Sequence, residues 1–376
     1  MSHSEFNLDD NIVYLNHAAV APWPQRTEKA VNAFCRENVT IGSKKYANWL
    51  KVESHLKQQL AELINAKSSD EIALVKNTSE ALSFIAYGLS WHAGDNIVTS
   101  DEEFPSNMIP WESLANKGVT VKKTSLKNTE DPTDRLIQQI DDQTRLLTIS
   151  SVQYASGLQV DLKRLGEACQ QKGVLFCIDA IQSIGAFPFD VQAYQADFVM
   201  ADGHKWMLGP EGLGVFYCRQ QTMKQLELTQ FGWHMVEDMG NYDTPVWTTA
   251  LSARRFECGS PNMLSIHALS ASISLLLETG MHSISTAIMS RGQYVIEKIL
   301  NENALILLTQ PSPNGNNIIV FKLADGRTKE LFSYLTENNV ICAMRGGGIR
   351  FSPHFYTPNL AIDRAFEFIK QFIATH

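Results

Sequence analysis

The sequence lacks several features that would assign the protein to a specialised class. It has no run of about 18 apolar residues, the length that a membrane-spanning helix needs, and its first ten residues contain no segment typical of a signal peptide. Basic residues are in deficit, with 32 Lys and Arg against 40 Asp and Glu. We therefore expect no membrane partner and no large basic face for nucleic acid.

Cysteine pairs and the common nucleotide and metal motifs are also missing. The six cysteines are scattered without a CxxC pair, which favours reduced thiols and a cytoplasmic protein. There is no GxGxxG or GxxxxGK[ST] loop, and the ten histidines show no metal-ligand spacing, so no metal site is predicted. What remains is an ordinary composition, 44% hydrophobic and 19% charged, in a chain of 376 residues that suits two domains.

Short apolar segments alternate with helical patterns through the first part of the chain. Such segments are typical of strands buried on both faces of a sheet. Helical spacing appears at Leu56, Leu60 and Ile64, and Asp161 is placed to cap a helix. The pattern predicts an α/β fold with a mostly parallel sheet. The predicted strands are 72–75, 96–99, 146–149, 174–178, 198–200 and 214–217.

The pattern changes after about residue 260. A long helix is predicted over 263–278, then a pair of strands at 318–321 and 340–342, and a closing helix whose apolar stripe runs from Ile362 to Ile373. We expect four parts of the chain: a large domain at 20–260, a connecting helix at 261–279, a small α+β domain at 280–376, and an N-terminal arm at 1–19 that packs near it.

Reactive side chains follow two of the predicted strands. Asp179 ends an apolar strand, with Gln182 three residues later, and Lys205 lies between His204 and Trp206. A lone strand-end carboxylate is commonly a cap, and a lone lysine is commonly solvated. A desolvated lysine, however, has a lowered pKa and can form a Schiff base with an aldehyde. A carboxylate at a neighbouring strand end can keep a pyridine nitrogen protonated.

A phosphate site is predicted at Thr78 and Ser79. These hydroxyl residues follow a strand and open a helix, where backbone N–H groups and the helix dipole attract an anion. The same segment, with Glu80 in the first turn, also suits a simple helix N-cap. The residues alone leave both interpretations open.

Together these segments resemble the class V aminotransferase and cysteine desulfurase superfamily of fold-type I pyridoxal-phosphate enzymes. The similarity covers nearly the whole chain, and its most specific part is Asp179-x-x-Gln182 followed by Gly203-His204-Lys205. The resemblance implies a fold-type I PLP-dependent transferase fold, with a seven-stranded, mostly parallel sheet in the large domain. It also implies pyridoxal 5'-phosphate as the cofactor and a small α-amino acid as the substrate.

The resemblance further implies roles around the cofactor. Lys205 matches the Schiff-base lysine, which also moves the proton at Cα of the substrate. Asp179 matches the partner of the pyridine nitrogen, and Gln182 matches the residue that hydrogen-bonds the phenolic oxygen. The residues that match phosphate ligands are Thr78, Ser79 and His204.

Three more positions are implied for the substrate and for a second subunit. Arg350 matches the arginine that binds the substrate α-carboxylate in a bidentate pair. His17 matches a residue at the substrate entrance, although a structural role suits it equally. Ser260 matches a residue that reaches the phosphate of the partner subunit, which implies a homodimer with the sites at its interface.

Three residues depart from the desulfurase pattern. Phe104 takes the ring-stacking position where many desulfurases have histidine, so it can stack on the cofactor but cannot move protons. Tyr154 replaces an asparagine and makes its segment more similar to the kynureninase branch. It could hydrogen-bond the cofactor, act as an acid, or fill the core. Asp202 replaces a hydroxyl residue near the phosphate, and we expect its carboxylate to point away, toward a basic residue.

The largest departure concerns cysteine. Group II desulfurases carry a nucleophilic cysteine between two arginine-bearing segments, but here Arg345 and Arg350 are five residues apart with no cysteine between them. Cys342 is predicted in a buried strand, and Cys258 is a weak alternative. A persulfide mechanism is therefore disfavoured.

Several reactions remain open within the superfamily. The leading ones are transamination and C–S lyase chemistry by β-elimination, and the alternatives are cysteine desulfuration, kynureninase-like hydrolysis and epimerisation. A non-catalytic binding or regulatory protein is the rival from another class. Intact Lys205, Asp179 and Arg350 argue against it, because a scaffold needs none of them.

Overall fold

The structure of the protein is a computed structural model that describes residues 3–127, 129–243 and 245–375. Its helices are α1 (Gln25–Ile41), α2 (Tyr46–Leu63), α3 (Thr78–Gly88), α4 (Ile109–Glu112), α5 (Pro132–Ile137), α6 (Leu162–Lys172), α7 (Gln220–Met223), α8 (Met263–Thr279), α9 (Met281–Leu300), α10 (Thr328–Glu337) and α11 (Asn359–Thr375). Its strands are β1 (Val13–Tyr14), β2 (Ile72–Val75), β3 (Asn96–Ser100), β4 (Thr120–Thr124), β5 (Thr144–Ser150), β6 (Leu175–Asp179), β7 (Phe198–Asp202), β8 (Gly214–Cys218), β9 (Leu305–Leu307), β10 (Ile319–Leu323), β11 (Val340–Ile341), β12 (Ala343–Arg345) and β13 (Gly348–Phe351).

A seven-stranded sheet with the order β2-β8-β7-β6-β5-β3-β4 forms the centre of the molecule. Strand β8 runs antiparallel to both of its neighbours, and every other pair is parallel. All six predicted strands lie in this sheet, so the predicted α/β class is confirmed. The sequence missed β4, because this edge strand contains Lys122 and Lys123 and is largely accessible to solvent.

A second, four-stranded antiparallel sheet has the order β12-β13-β10-β9. The predicted pairing of 318–321 with 340–342 is wrong. Strand β10 pairs with β13 and β9, whereas β11 pairs in parallel with β1, so that Val13 lies opposite Val340. Two apolar segments that follow each other in sequence need not pair, because the partner is chosen by the packing of the whole sheet. The expected domain boundaries stay a prediction.

The helices follow the sequence expectations more closely. Asp161 caps α6 by accepting a hydrogen bond from the backbone N–H of Arg164 over 3.1 Å. Helices α1 and α2 both pack against α8, and the apolar stripe of α11 is buried against the second sheet. No single helix among the described residues is both long and apolar enough to span a membrane. The one pair that reaches that composition together, α8 with α9, is bent by 85°.

The parallel strands bring the reactive residues to one edge of the large sheet. Strands β5 and β6 end side by side, with Ser150 opposite Asp179, and β6 lies beside β7, with Asp179 opposite Met200. The chain leaves β7 at Asp202 and turns directly into the His204-Lys205 segment. The carboxyl ends of parallel strands are where open α/β sheets bind ligands.

Candidate active site

A cavity of about 260 Å³ lies at this edge of the sheet. Nine of the eleven expected site residues line it, namely Thr78, Ser79, Phe104, Tyr154, Asp179, Gln182, His204, Lys205 and Arg350. The lining residues that were not on the expected list are Ala18, Ala19, Val20, Ser106, Ser150, Val152, Ile181, Asp202, Glu211 and Arg345. Most of these belong to no motif, and only the fold brings them to the cavity.

Burial shifts both reactive groups toward their neutral forms. Asp179 is 2% exposed, its Oδ1 accepts the backbone N–H of Ile181 over 3.0 Å, and burial raises its pKa to about 7. Burial lowers the pKa of Lys205 to about 8, and the attraction of Asp179 opposes that shift. The cavity thus holds an amine that is partly neutral near neutral pH and a carboxyl group that holds a proton readily.

The orientation of the Gln182 amide is fixed by Trp206. The indole N–H of Trp206 donates to Oε1 of Gln182 over 2.8 Å, and an indole nitrogen can only donate. The Nε2 of Gln182 therefore carries both amide protons. One is donated to the carbonyl oxygen of Ala18 over 3.1 Å, and the other is available for an acceptor in the cavity.

His204 offers a buried ring nitrogen without a partner. Its Nδ1 forms no hydrogen bond in the part of the chain that the structure describes. Burial lowers the pKa of His204 to about 4, so the ring is neutral at physiological pH. A neutral imidazole can donate one hydrogen bond to an anion in the cavity.

The first turn of α3 is arranged differently from the expectation. Asn77, not a hydroxyl residue, caps the helix by accepting the backbone N–H of Glu80 over 2.9 Å. Asp202 accepts the N–H of Thr78 over 2.6 Å and its hydroxyl over 3.2 Å. The other carboxylate oxygen of Asp202, Oδ2, lies 3.7 Å from Nδ1 of His204, so the expected basic neighbour is present but at longer range than the donors of Thr78. Both donors of Thr78 are thereby occupied, which counts against Thr78 as a phosphate ligand.

Two arginines enter the cavity from one hairpin. Arg350 in β13 is 2% exposed, its Nη1 donates to the carbonyl oxygen of Tyr154 over 2.8 Å, and its Nε has no partner among the described residues. Burial lowers the pKa of Arg350 to about 10, which leaves it charged. Arg345 ends β12, and Gly346 and Gly347 make the turn with φ of +59° and +81°. Only Gly346 and Gly347 lie between β12 and β13, so no longer loop separates Arg345 from the strand that contains Arg350.

Phe104 and Tyr154 form an aromatic wall of the cavity. Their ring centroids lie 5.1 Å apart at an interplanar angle of 82°, and Phe104 is 41% exposed. The Nζ of Lys205 lies 5.8 Å from the centroid of the Phe104 ring. The exposed face of Phe104 is available for stacking on a second ring. Because Tyr154 lines the cavity, it does not have the role of a core tyrosine.

Two expected site residues lie outside the cavity. His17 is fully buried, and its ring nitrogens lie 2.8 Å from the carbonyl oxygen of Ser352 and 2.7 Å from the hydroxyl of Tyr356. Placing His17 at the substrate entrance is therefore wrong, since its hydrogen bonds join the N-terminal arm to the segment after β13. Ser260 is exposed and lines a separate surface cavity together with Cys258 and Pro261.

One buried cluster has ligand types that metals prefer. Glu53, His234 and Glu257 bring potential ligand atoms within 4.8 Å of one another. The ammonium of Lys57 lies 3.2 Å from Glu53 and 2.9 Å from Glu257. This ammonium forms ion pairs with both carboxylates and balances one of their two negative charges.

The donors of the cavity fit the polar groups of pyridoxal phosphate. An amine for the aldehyde is present in Lys205 and a buried carboxyl for the pyridine nitrogen in Asp179, and an unpartnered Nδ1 for an anion in His204. The amide proton of Gln182 suits the phenolic oxygen. Asp202 and Glu211, which also line the cavity, have the unfavourable sign for a phosphate.

Comparison with known proteins identifies the family. The sequence profile of Aminotransferase class-V matches residues 13–356. The chain belongs to the aminotransferase class-V family. Members of this family are enzymes that use pyridoxal phosphate, so this class V enzyme is pyridoxal-phosphate-dependent.

Relatives and solved structures with desulfurase or aminotransferase names are similar along most of the chain. A probable cysteine desulfurase from Methanothermobacter thermautotrophicus is 31% identical over 372 residues, covering 92% of this chain and 90% of that protein. The uncharacterized aminotransferase YcbU of Bacillus subtilis is 31% identical over 319 residues, covering 83% of this chain and 82% of that protein.

Two solved structures have the same fold. The cysteine desulfurase CsdA from Escherichia coli, in an S-sulfonic acid form, has a TM-score of 0.88 at 21% identity, covering 99% of this chain and 97% of its own. The cystine C–S lyase C-DES, in complex with its product cysteine persulfide, has a TM-score of 0.88 at 22% identity, covering 96% of this chain and 97% of its own. These likenesses confirm the expected fold-type I architecture.

Proposed function

We propose that this enzyme cleaves the carbon–sulfur bond of a small sulfur-containing α-amino acid by β-elimination, without a persulfide on a protein cysteine. With cysteine and water, the balanced products are pyruvate, ammonia and hydrogen sulfide. The observation that carries the proposal is a cavity lined by Lys205, Asp179 and Arg350 that none of the six cysteines lines. Sulfur chemistry is supported by the relatives named as desulfurases and by the C–S lyase with the same fold.

Lys205 is the base in this proposal. Because burial lowers its pKa to about 8, a useful fraction of the amine is neutral near neutral pH and can accept the Cα proton. Pyridoxal phosphate supplies an electron sink for the electron pair left at Cα. Since the ring-stacking residue Phe104 cannot titrate, Lys205 carries the proton transfer at Cα alone.

Arg350 orients the substrate. Its Nε lacks a hydrogen-bond partner among the described residues, and its planar guanidinium can bind an α-carboxylate through two parallel hydrogen bonds. Burial of Arg350 strengthens this pair, since water competes less with the carboxylate. The hydroxyl of Tyr154 supplies a hydrogen-bond donor on the same side, for the cofactor or for the departing sulfur.

Cysteine desulfuration is the second candidate, because the relative that covers 92% of this chain carries that name. That reaction needs a thiolate able to reach the substrate sulfur. Cys342 lies between β11 and β12, and burial raises its pKa to about 12. Cys258 lies beside Ser260, outside the cavity. Transamination is the third, and it differs by leaving the cofactor in its amine form.

We also propose that the enzyme is a homodimer in which Ser260 of each subunit reaches the phosphate of the other. Ser260 is exposed and lies outside its own cavity, as such a role requires. Phe231, Tyr242 and Trp247 are 64%, 73% and 56% exposed near a surface cavity of about 480 Å³, which is an unusual amount of aromatic surface to leave in water. Sedimentation velocity tests whether the enzyme is a dimer. The Ser260→Ala variant should bind the cofactor more weakly but should still be a dimer.

Product analysis tests the reaction. The enzyme is incubated with cysteine, cystine and alanine, and pyruvate, ammonia, sulfide and protein-bound persulfide are measured together with the absorbance of the cofactor. Equal amounts of pyruvate and ammonia, with sulfide or a released persulfide and no labelled protein cysteine, support β-elimination. Alanine as product with a persulfide on the protein supports desulfuration, and a lasting amine form of the cofactor supports transamination.

A further inference from the structure

Glu103 is a buried carboxylate for which the proposed reaction has no use. It is 6% exposed and lies one residue before Phe104. Its Oε1 accepts the backbone N–H of Ser150 over 2.8 Å and Nε2 of Gln153 over 2.6 Å. Its Oε2 accepts Nδ2 of Asn107 over 2.8 Å and the hydroxyl of Ser150. Four donors thus surround one carboxyl group.

The surrounding donors favour the ionised form of Glu103. Trp111 donates its indole N–H to Oδ1 of Asn107 over 3.0 Å, which turns Nδ2 of Asn107 toward Glu103. The backbone N–H of Ser150 cannot be reversed either. Each carboxyl oxygen therefore faces a fixed donor, and a proton on either oxygen would displace one of them. Burial raises the pKa of Glu103, and these hydrogen bonds oppose the rise.

No lysine or arginine of the described chain forms an ion pair with Glu103. Its negative charge is stabilised by neutral dipoles alone, so the charge is not cancelled and acts on groups nearby. Polar hydrogen bonds of this kind can hold a buried carboxylate ionised.

Asp179 is an acidic group on which the charge of Glu103 acts. Ser150, which binds Glu103 through both backbone and side chain, lies opposite Asp179 in the paired strands β5 and β6. The negative charge of Glu103 raises the pKa of Asp179, after burial, which is the larger cause. The other charged groups that act on Asp179 are Lys205, which opposes the rise, and Asp202, which adds to it.

We propose that Glu103 is a positioning residue whose fixed negative charge acts through Asp179 to keep the pyridine nitrogen of the bound cofactor protonated. Two negative charges close together bind a shared proton more tightly than one does. The second carboxylate therefore lets this site hold the pyridinium at higher pH than Asp179 alone would. The inference rests on the proposed contact between Asp179 and the pyridine nitrogen.

The test measures the protonation of the pyridine nitrogen directly. Holoenzyme is reconstituted with 15N-labelled pyridoxal phosphate, and the 15N shift is followed by solid-state NMR on samples prepared across a pH series. Wild type and Glu103→Gln are compared without substrate. We expect the pH at which the nitrogen loses its proton to fall by about one unit in the variant, because a buried negative charge has been removed.

Matched variants separate charge from structure. Gln153→Leu removes a donor from Glu103 but keeps the charge, and it should leave the pH midpoint at or above the wild-type value. The double variant Glu103→Leu with Gln153→Leu removes the charge together with the hydrogen bonds from Ser150 and Asn107, and it serves where Glu103→Gln does not fold. Glu103→Asp keeps the charge, so the pH at which the pyridine nitrogen loses its proton should stay close to the wild-type value. Thermal unfolding reports any general loss of structure.

The outcomes distinguish the inference from its premise. An unchanged midpoint in both charge-removing variants, or an equal fall in Gln153→Leu, would overturn the role of Glu103. Asp179→Asn should abolish pyridine protonation. If it does not, the contact between Asp179 and the pyridine nitrogen is wrong, whatever Glu103 does.

Discussion

The carboxylate of Asp202 accepts the backbone N–H of Thr78 over 2.6 Å and the hydroxyl of the same residue over 3.2 Å. The end of β7 thereby occupies the first turn of α3, the place where a helix N-terminus would otherwise attract a phosphate. At the proposed phosphate site this leaves His204 and Ser79, whose hydroxyl donates to Oγ of Ser106 over 2.9 Å, beside a carboxylate of the same sign as a phosphate.

Replacing Asp202 by serine should tighten cofactor binding. Asp202→Ser removes the like charge and frees both donors of Thr78, and one recovered hydrogen bond to a charged group is worth about 1.5 kcal/mol, or roughly tenfold in Kd. Equilibrium dialysis of pyridoxal phosphate against the resolved protein measures the effect. Ser79→Ala is the control and should bind more weakly. Weaker binding in Asp202→Ser would mean that the carboxylate holds Thr78 in place for the cofactor.

Reconstitution with pyridoxal phosphate should speed up with rising pH. Only the neutral amine attacks an aldehyde, and the pKa of Lys205 is lowered to about 8, so the rate should rise through this pH and level off above it. Stopped-flow absorbance follows the reaction. After borohydride reduction, peptide mapping should find the label on Lys205, and Lys205→Ala should bind the cofactor without a covalent bond. A label on another lysine contradicts the assignment.

Loss of the Arg350 guanidinium should weaken substrate binding and spare the cofactor. A charged, bidentate pair contributes about 1.5–3 kcal/mol, so Arg350→Ala should raise the substrate Kd roughly 10–150-fold. Spectral titration with the amino acid measures this, and the absorbance without substrate should not change. Arg350→Lys should recover little, because the planar fork is lost. A larger effect in Arg345→Ala than in Arg350→Ala would move the carboxylate site to Arg345.

Removal of single cysteines should leave turnover largely intact. Cys342 is held protonated by burial, and Cys258 lies outside the cavity, so Cys342→Ala and Cys258→Ala should each keep at least about half of the wild-type kcat. Steady-state assays with the amino acid that turns over best measure this. A persulfide trapped on either cysteine, together with lost turnover in the matching variant, would restore the desulfurase assignment.

His17 should make stability fall in acid. Burial lowers its pKa in the folded protein to about 4 from an ordinary value near 6.5, so below about pH 6.5 the unfolded chain binds a proton that the folded chain does not. Between pH 7 and pH 5 the wild type should lose about 2 kcal/mol more than His17→Gln. Urea unfolding at both pH values measures the difference. If wild type and His17→Gln lose the same amount of stability, the pKa of His17 is not lowered in the folded protein.

The sequence was sufficient for local structure and for the chemistry near strand ends. The six apolar segments became strands of the large sheet, and Asp161 became a helix cap. The neighbourhood of Asp179 and Lys205 also followed from short-range pattern, because Asp179 ends one buried strand and Lys205 lies three residues after the end of the strand beside it. Strands and helices that are buried on one face show a periodic pattern of apolar residues, and this pattern can be read from the sequence.

Only the tertiary structure decided which distant segments meet. It paired β11 with β1 and not with β10, brought Arg350 to the cavity of Lys205, and turned Asp202 onto Thr78. It also withdrew His17 into the core. The physical reason is that hydrophobic burial is non-directional. The apolar character of a segment predicts that it is buried, but it does not predict which segment packs against it. The partner depends on packing and hydrogen bonding over the whole molecule.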